Sequence, residues 1–151
     1  MRFALIAAVS LSLVVYATEP DPLKQDKEKL QGTWTAVTVE RDGKQLPAED
    51  AKKVKVVIEG DKLTIRGAKD GKDEQFTYRL SREKKSPNWI DLRPAGREKA
   101  GERTPEKYFL GIYSIDGDTL KLQWQTGHQE RVASFEAKRT PDTVLLVLKR
   151  E

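Results

Sequence analysis

The chain has no cysteine, which excludes disulfides, thiolate metal sites and cysteine nucleophiles. A domain without such staples must hold itself together by core packing and sheet hydrogen bonds. Its single histidine, His128, has no second ring to share a metal with. No glycine pattern matches a phosphate-binding loop, because the glycines punctuate short apolar runs instead of opening a helix. The chain also lacks an internal repeat. At 151 residues it is long enough for one core and too short for two.

Only one apolar run is long. Phe3 to Tyr16 follows Arg2 and is too short to span a bilayer comfortably. Val15-Tyr16-Ala17 places small residues at the −3 and −1 positions of a signal peptidase site. Residues 1–17 are therefore expected to be a signal peptide cleaved after Ala17, the alternative being an uncleaved anchor. Without cysteine, a lipid-anchored variant of the signal is excluded. The mature protein is expected to be soluble and exported, to the periplasm or the cell exterior, with no stable membrane span.

Charge is abundant but mixed. Lys and Arg number 28 against 24 Asp and Glu, a net charge of +4 that losing Arg2 with the leader would lower by one. The signs alternate along Lys24-Gln25-Asp26-Lys27-Glu28-Lys29 and Arg82-Glu83-Lys84-Lys85, as on a solvated surface. No nucleic-acid partner is expected.

After a spacer over 18–29, with one helical turn starting near Asp26, the pattern becomes that of short strands. Thr33–Arg41 ends in the turn Asp42-Gly43-Lys44. Pro47–Lys53 has Pro first, acids next and lysines last, the order of a short helix. Val54–Ile58 and Leu63–Arg66 flank the hairpin signal Glu59-Gly60-Asp61-Lys62. Gly67–Gly71 reads as a turn, followed by strands at Gln75–Leu80 and Trp89–Leu92. Arg93–Glu106 is the longest loop. Lys107–Ile115, Thr119–Trp124, Arg131–Lys138 and Val144–Lys149 complete the set, and Leu120, Leu122 and Trp124 alternate with Lys121 and Gln123. Eight or nine such strands joined by tight turns predict an all-β, antiparallel up-and-down barrel over 30–151, because closure removes exposed edges. A sandwich is the alternative.

Little in the chain carries chemistry. His128 sits in the polar turn Gly127-His128-Gln129-Glu130; Glu130 could orient its ring, but nothing supplies a nucleophile. Asp116-Gly117-Asp118 flanks a glycine as a calcium loop does, yet lacks the later oxygen ligands. No catalytic residue, metal or cofactor is assigned. Interior positions are expected at Val37, Val56, Phe76, Tyr78, Leu120, Leu122 and Trp124. Trp34 is expected to close the barrel floor with Arg150 or Lys149 over its indole as a cation–π partner. Asp91 and Arg131, both embedded in strand-like runs, form an expected polar anchor if they point into a cavity; otherwise both face solvent.

Leu30-Gln31-Gly32-Thr33-Trp34, Asp42-Gly43-Lys44, Pro87-Asn88-Trp89-Ile90-Asp91-Leu92, Gly111-Ile112-Tyr113-Ser114-Ile115-Asp116-Gly117-Asp118-Thr119-Leu120 and Val147-Leu148-Lys149-Arg150 occur in this order. As a set they resemble the small lipocalin-like domain of uncharacterised function abundant in planctomycete bacteria, over nearly the whole chain from Leu30 to Arg150. The resemblance implies a lipocalin-like barrel, often exported, with no assigned activity and no catalytic residues to transfer. Where that family usually carries Arg-Pro, this chain has Arg131-Val132.

The function expected is a non-enzymatic, exported binding module that holds a small apolar or amphipathic ligand in a shallow barrel. The alternative is an envelope-associated interaction domain with a solid core, binding protein or polysaccharide through loops such as Arg93–Glu106.

Overall fold

A computed structural model describes residues 19–82, 87–96, 108–127, 130–136 and 141–151, without the side chains of residues 68 and 69. The expected leader over 1–17, His128, and residues 97–107 of the charged loop lie outside the described residues.

Helix α1 spans Pro22–Leu30. The Asp21 carboxylate accepts the Leu23 N–H at 3.0 Å, and Pro22 follows at a position whose N–H has no partner within the helix. The helix therefore starts ahead of the turn expected at Asp26 and takes up most of the stretch read as a spacer. Strand β1 (Gly32–Arg41) leads into the extra strand β2 (Lys44–Gln45) and helix α2 (Ala48–Ala51). Strands β3 (Lys55–Glu59), β4 (Lys62–Lys69), β5 (Lys72–Ser81) and β6 (Asn88–Pro94) follow. Strands β7 (Phe109–Asp116), β8 (Thr119–Gln125) and β9 (Thr143–Arg150) complete the chain.

From β3 onward each strand pairs antiparallel with the next, and β1 pairs with both β3 and β9. That last pairing closes an eight-stranded barrel, with β2 added to the far end of β1. The closed barrel, not a sandwich, is the architecture. No helix among the described residues is long and apolar enough to cross a membrane.

Register decides which residues point inward. Trp34, Ala36 and Val39 are buried on β1 because the pairing with β9 slips between Ala36 and Thr38. Val37 is the residue left over in that bulge. It is 49% exposed and does not line the interior, contrary to the sequence expectation. A bulge changes the parity of the alternation, and nothing in the run Thr35-Ala36-Val37-Thr38-Val39 announces it.

Gly67 was expected to begin a turn but lies inside β4, with φ +72° and the Lys53 carbonyl 2.8 Å from where a Cβ would sit. It lets the segment leaving α2 press directly on β4; the turn itself is Asp70-Gly71, both with positive φ. Gly111 faces Trp124 across β7 and β8, and a Cβ there would lie 2.9 Å from the Trp124 Cβ.

The segment expected as a strand over Arg131–Lys138 is not one across its described part, 130–136. Both partners of β9 are already taken, by β8 and β1, so the sheet has no place for it. It lies instead across the outside of the barrel. In register, Trp89, Ile112, Gln123 and Leu145 form an outward row over β6 to β9. Ile112, Gln123 and Leu145 are buried, as is Val132 of the crossing segment. The molecule thus has a core inside the barrel and a thin second apolar layer outside one wall.

Candidate functional site

An up-and-down barrel gathers alternate strand ends at each of its two ends. One end is closed. Helix α1 lies across it, with Leu30 and Asp26 buried. The Trp34 indole N–H donates to the Leu30 carbonyl at 2.9 Å, and Arg150 donates to the carbonyls of Gln31 (2.9 Å) and Lys29 (2.5 Å). These carbonyls lie at the helix C-terminus, where intrahelical donors run out. The Asp26 carboxylate accepts from the Tyr113 hydroxyl at 2.7 Å and forms an ion pair with Arg82 at 3.5 Å. Burial first, and then the Asp26 carboxylate, push the Tyr113 phenol above its ordinary range. Burial also raises the Tyr78 phenol, which donates to the Gly60 carbonyl at 2.8 Å. This end is a latch between helix and barrel.

The other end carries a basin of about 630 Å³, lined by the ends of β1, β5, β6, β7, β8 and β9. Its apolar surface includes Phe76, Phe109 and Val144. Phe76 meets Phe109 edge-to-face at 6.2 Å and Trp124, deeper in the barrel, at 6.4 Å. Asp42, Asp73, Glu74 and Asp142 add carboxylates, and Arg41 the one cation among the described lining residues. Arg41 reaches Glu74 at 3.4 Å, tying together two strands that are not neighbours in the sheet. Its Nε is buried with no acceptor among the described residues. Asp73 lies 3.9 Å from Arg66 on the adjacent strand.

The expected interior residues divide. Val56, Phe76, Tyr78, Leu120, Leu122 and Trp124 all point inward and are at most 6% exposed, packed against one another in a single cluster. They form a packed core, and of the set only Phe76 also lines the basin. Trp34 and Arg150 meet as expected at the closed end, the guanidinium carbon 4.1 Å from the ring centre.

Asp91 and Arg131 do pair, at 2.6 Å, but outside the barrel wall, so they are neither a cavity anchor nor solvent-facing. Asp91 alternates with the inward Ile90 and Leu92, and its side chain, 7% exposed, is covered by the crossing segment that brings Arg131. Arg131 also donates to the Gly111 carbonyl at 2.6 Å and stacks 4.3 Å over Trp89. Arg79 takes the second Asp91 oxygen at 3.0 Å and lies over Tyr108.

Sequence reading missed Arg41, Asp42, Asp73, Glu74, Phe109 and Asp142 as a group. The available signal was positional, since each sits at a strand tip on the same end once the strands are threaded alternately up and down. Among the described residues no group of three or more His, Asp or Glu side chains is placed to hold a metal. The chain matches no family model, no curated protein and no solved structure.

Proposed function

We propose that this protein is an exported, non-enzymatic binding module whose ligand sits in the basin at the barrel mouth and not within the barrel. The observation that carries the reading is the contrast between the two spaces. The interior holds one cluster of mutually packed, buried apolar side chains, whereas the mouth holds about 630 Å³ bounded by phenyl rings and polar strand tips. A concave site with an apolar floor and a few converging polar groups is the usual form of a small-molecule site. Its mixed lining suits an amphipathic ligand. The resemblance to the lipocalin-like domain family and the leader-like residues 1–17 support the fold type and the export.

Backbone amide NMR shifts recorded while titrating short-chain amphiphiles test the reading. Perturbations should cluster at Phe76, Phe109, Thr126 and Val144 and should weaken in Phe109→Ser. Shifts confined to the closed end around Trp34, or none across the panel, would sink it. Export is checked by the N-terminal sequence of the protein isolated from its host, expected to begin at Thr18.

A further inference from the structure

We infer that the ligand of this basin carries an uncharged, hydroxyl-bearing head group on an apolar body, and that the Arg41–Glu74 pair reads the head. The inference rests on the basin reading above and adds the chemistry of the ligand head.

The pair lies as a bar across the barrel mouth. Arg41 comes two residues after the buried Val39 of β1, and Glu74 two residues before the buried Phe76 of β5, so both side chains turn inward. Around the barrel, β3 and β4 separate the two strands on one side and β6 to β9 on the other. The contact is a single one, Nη2 to Oε2 at 3.4 Å, and not the short two-pronged fork that a guanidinium and a carboxylate can form. Arg41 Nε has no acceptor among the described residues, and Glu74 Oε1 takes no part in the contact. The pair thus balances its charges while leaving hydrogen-bonding capacity on both partners.

The other carboxylates of the lining add no open charge at the bar. Asp73 alternates with the inward Glu74 and lies 3.9 Å from Arg66. The Asp142 carboxylate is turned onto Gly127, 2.6 Å from where a Cβ would sit. Asp42 is exposed at the β1–β2 turn, where water weakens its field.

Such a pair discriminates against charge of either sign. Its side chains are only 28% and 29% exposed. An ammonium drawn to Glu74 leaves Arg41 without its counter-charge, and a carboxylate drawn to Arg41 strands Glu74; a part-covered charge left unpaired is costly. A hydroxyl both donates and accepts, so it can accept from the guanidinium and donate to the carboxylate without separating them. Apolar contact with Phe76, Phe109 and Val144 accommodates the body of the same molecule.

The experiment holds the tail constant and changes the head: octyl glucoside, octyltrimethylammonium and octanoate, titrated by calorimetry at pH 7.5 below their micelle concentrations. Octyl glucoside should bind about tenfold more tightly than either charged head. The two halves of the pair should then move selectivity in opposite directions. Glu74→Gln keeps the shape and frees Arg41, so octanoate should gain about tenfold relative to octyl glucoside. Arg41→Met frees Glu74, so the ammonium should gain instead. The double variant has neither charge and should return to favouring octyl glucoside.

The opposed shifts separate recognition by the pair from a general preference for neutral amphiphiles and from a purely structural role. A native preference for either charged head, equal binding of all three, or selectivity unmoved by Glu74→Gln overturns the inference while leaving the basin as a binding site. No binding by any of the three overturns both.

Discussion

The Arg150 guanidinium carbon lies 4.1 Å from the centre of the Trp34 ring, and the two residues face each other in register across β1 and β9. Between them they satisfy three carbonyls at the end of α1, so this contact joins barrel closure to helix docking. Trp34 is fully buried. Trp34→Ala should cost about 3–5 kcal/mol in urea unfolding, from the cavity and the lost hydrogen bond together.

Arg150→Lys should be milder than Arg150→Met, but neither should be neutral. A lysine cannot present a planar fork to the Lys29 and Gln31 carbonyls while stacking on an indole. An unchanged midpoint for Trp34→Ala would remove the pair from any structural role.

The Asp91–Arg131 pair predicts a different kind of loss. Arg131→Met leaves Asp91 with Arg79, whose side chain is 63% exposed. Asp91→Leu instead leaves Arg131, whose side chain is only 15% exposed, with carbonyl contacts but no counter-charge among the described residues. Removing one partner of a buried pair costs about 3–5 kcal/mol where nothing replaces it. Asp91→Leu is therefore expected to be the more destabilising change. Hydrogen exchange should show faster exchange over 130–136 in both variants while β1 and β9 keep their protection. Uniform loss of protection would show that the crossing segment is an integral part of the barrel's folding unit.

These two pairs also mark how far the sequence could be read. Trp34 with Arg150 was legible because both lie on strands whose ends the alternation fixes. Asp91 and Arg131 were legible as a pair but not in place. Period-2 alternation correctly sets Asp91 opposite Ile90 and Leu92, yet its cover comes from a segment about forty residues on. That segment alternates like a strand, and only the β9–β1 closure shows that no strand can be added. Val37 escaped because a bulge is a change of phase, which composition does not reveal. The basin escaped because it belongs to no single element. It exists only once β1, β5, β7 and β9 are brought to one rim.

Gln123 supplies a prediction of opposite sign. It is fully buried in the outward row between Ile112 and Leu145, and both its amide oxygen and nitrogen lack a partner among the described residues. Leaving a buried amide unpaired costs about 1–3 kcal/mol. Gln123→Met keeps the length and shape and removes the polar atoms. It should raise stability by about 1 kcal/mol or more, read as a higher urea midpoint at unchanged slope. A fall in stability would mean that the amide is paired in solution, through water that enters beneath the crossing segment.

Tyr113 sets the behaviour at high pH. Its phenol is raised above the ordinary value near 10 by burial and by the Asp26 carboxylate that accepts its hydrogen bond at 2.7 Å. The folded state therefore holds a proton that the unfolded chain releases first. Below about pH 10 both states are protonated and the contribution is complete. Above it the unfolded chain ionises while the folded phenol does not, so stability falls as pH rises. Lysines titrate in the same window, and the test is accordingly a comparison of unfolding free energies between the native chain and Tyr113→Phe from pH 8 to 11. The variant should start lower by about 1 kcal/mol for the lost hydrogen bond and then decline less steeply, so that the two curves converge. Parallel curves would show that Tyr113 ionises as easily in the fold as out of it, and that α1 is held over the closed end without that proton.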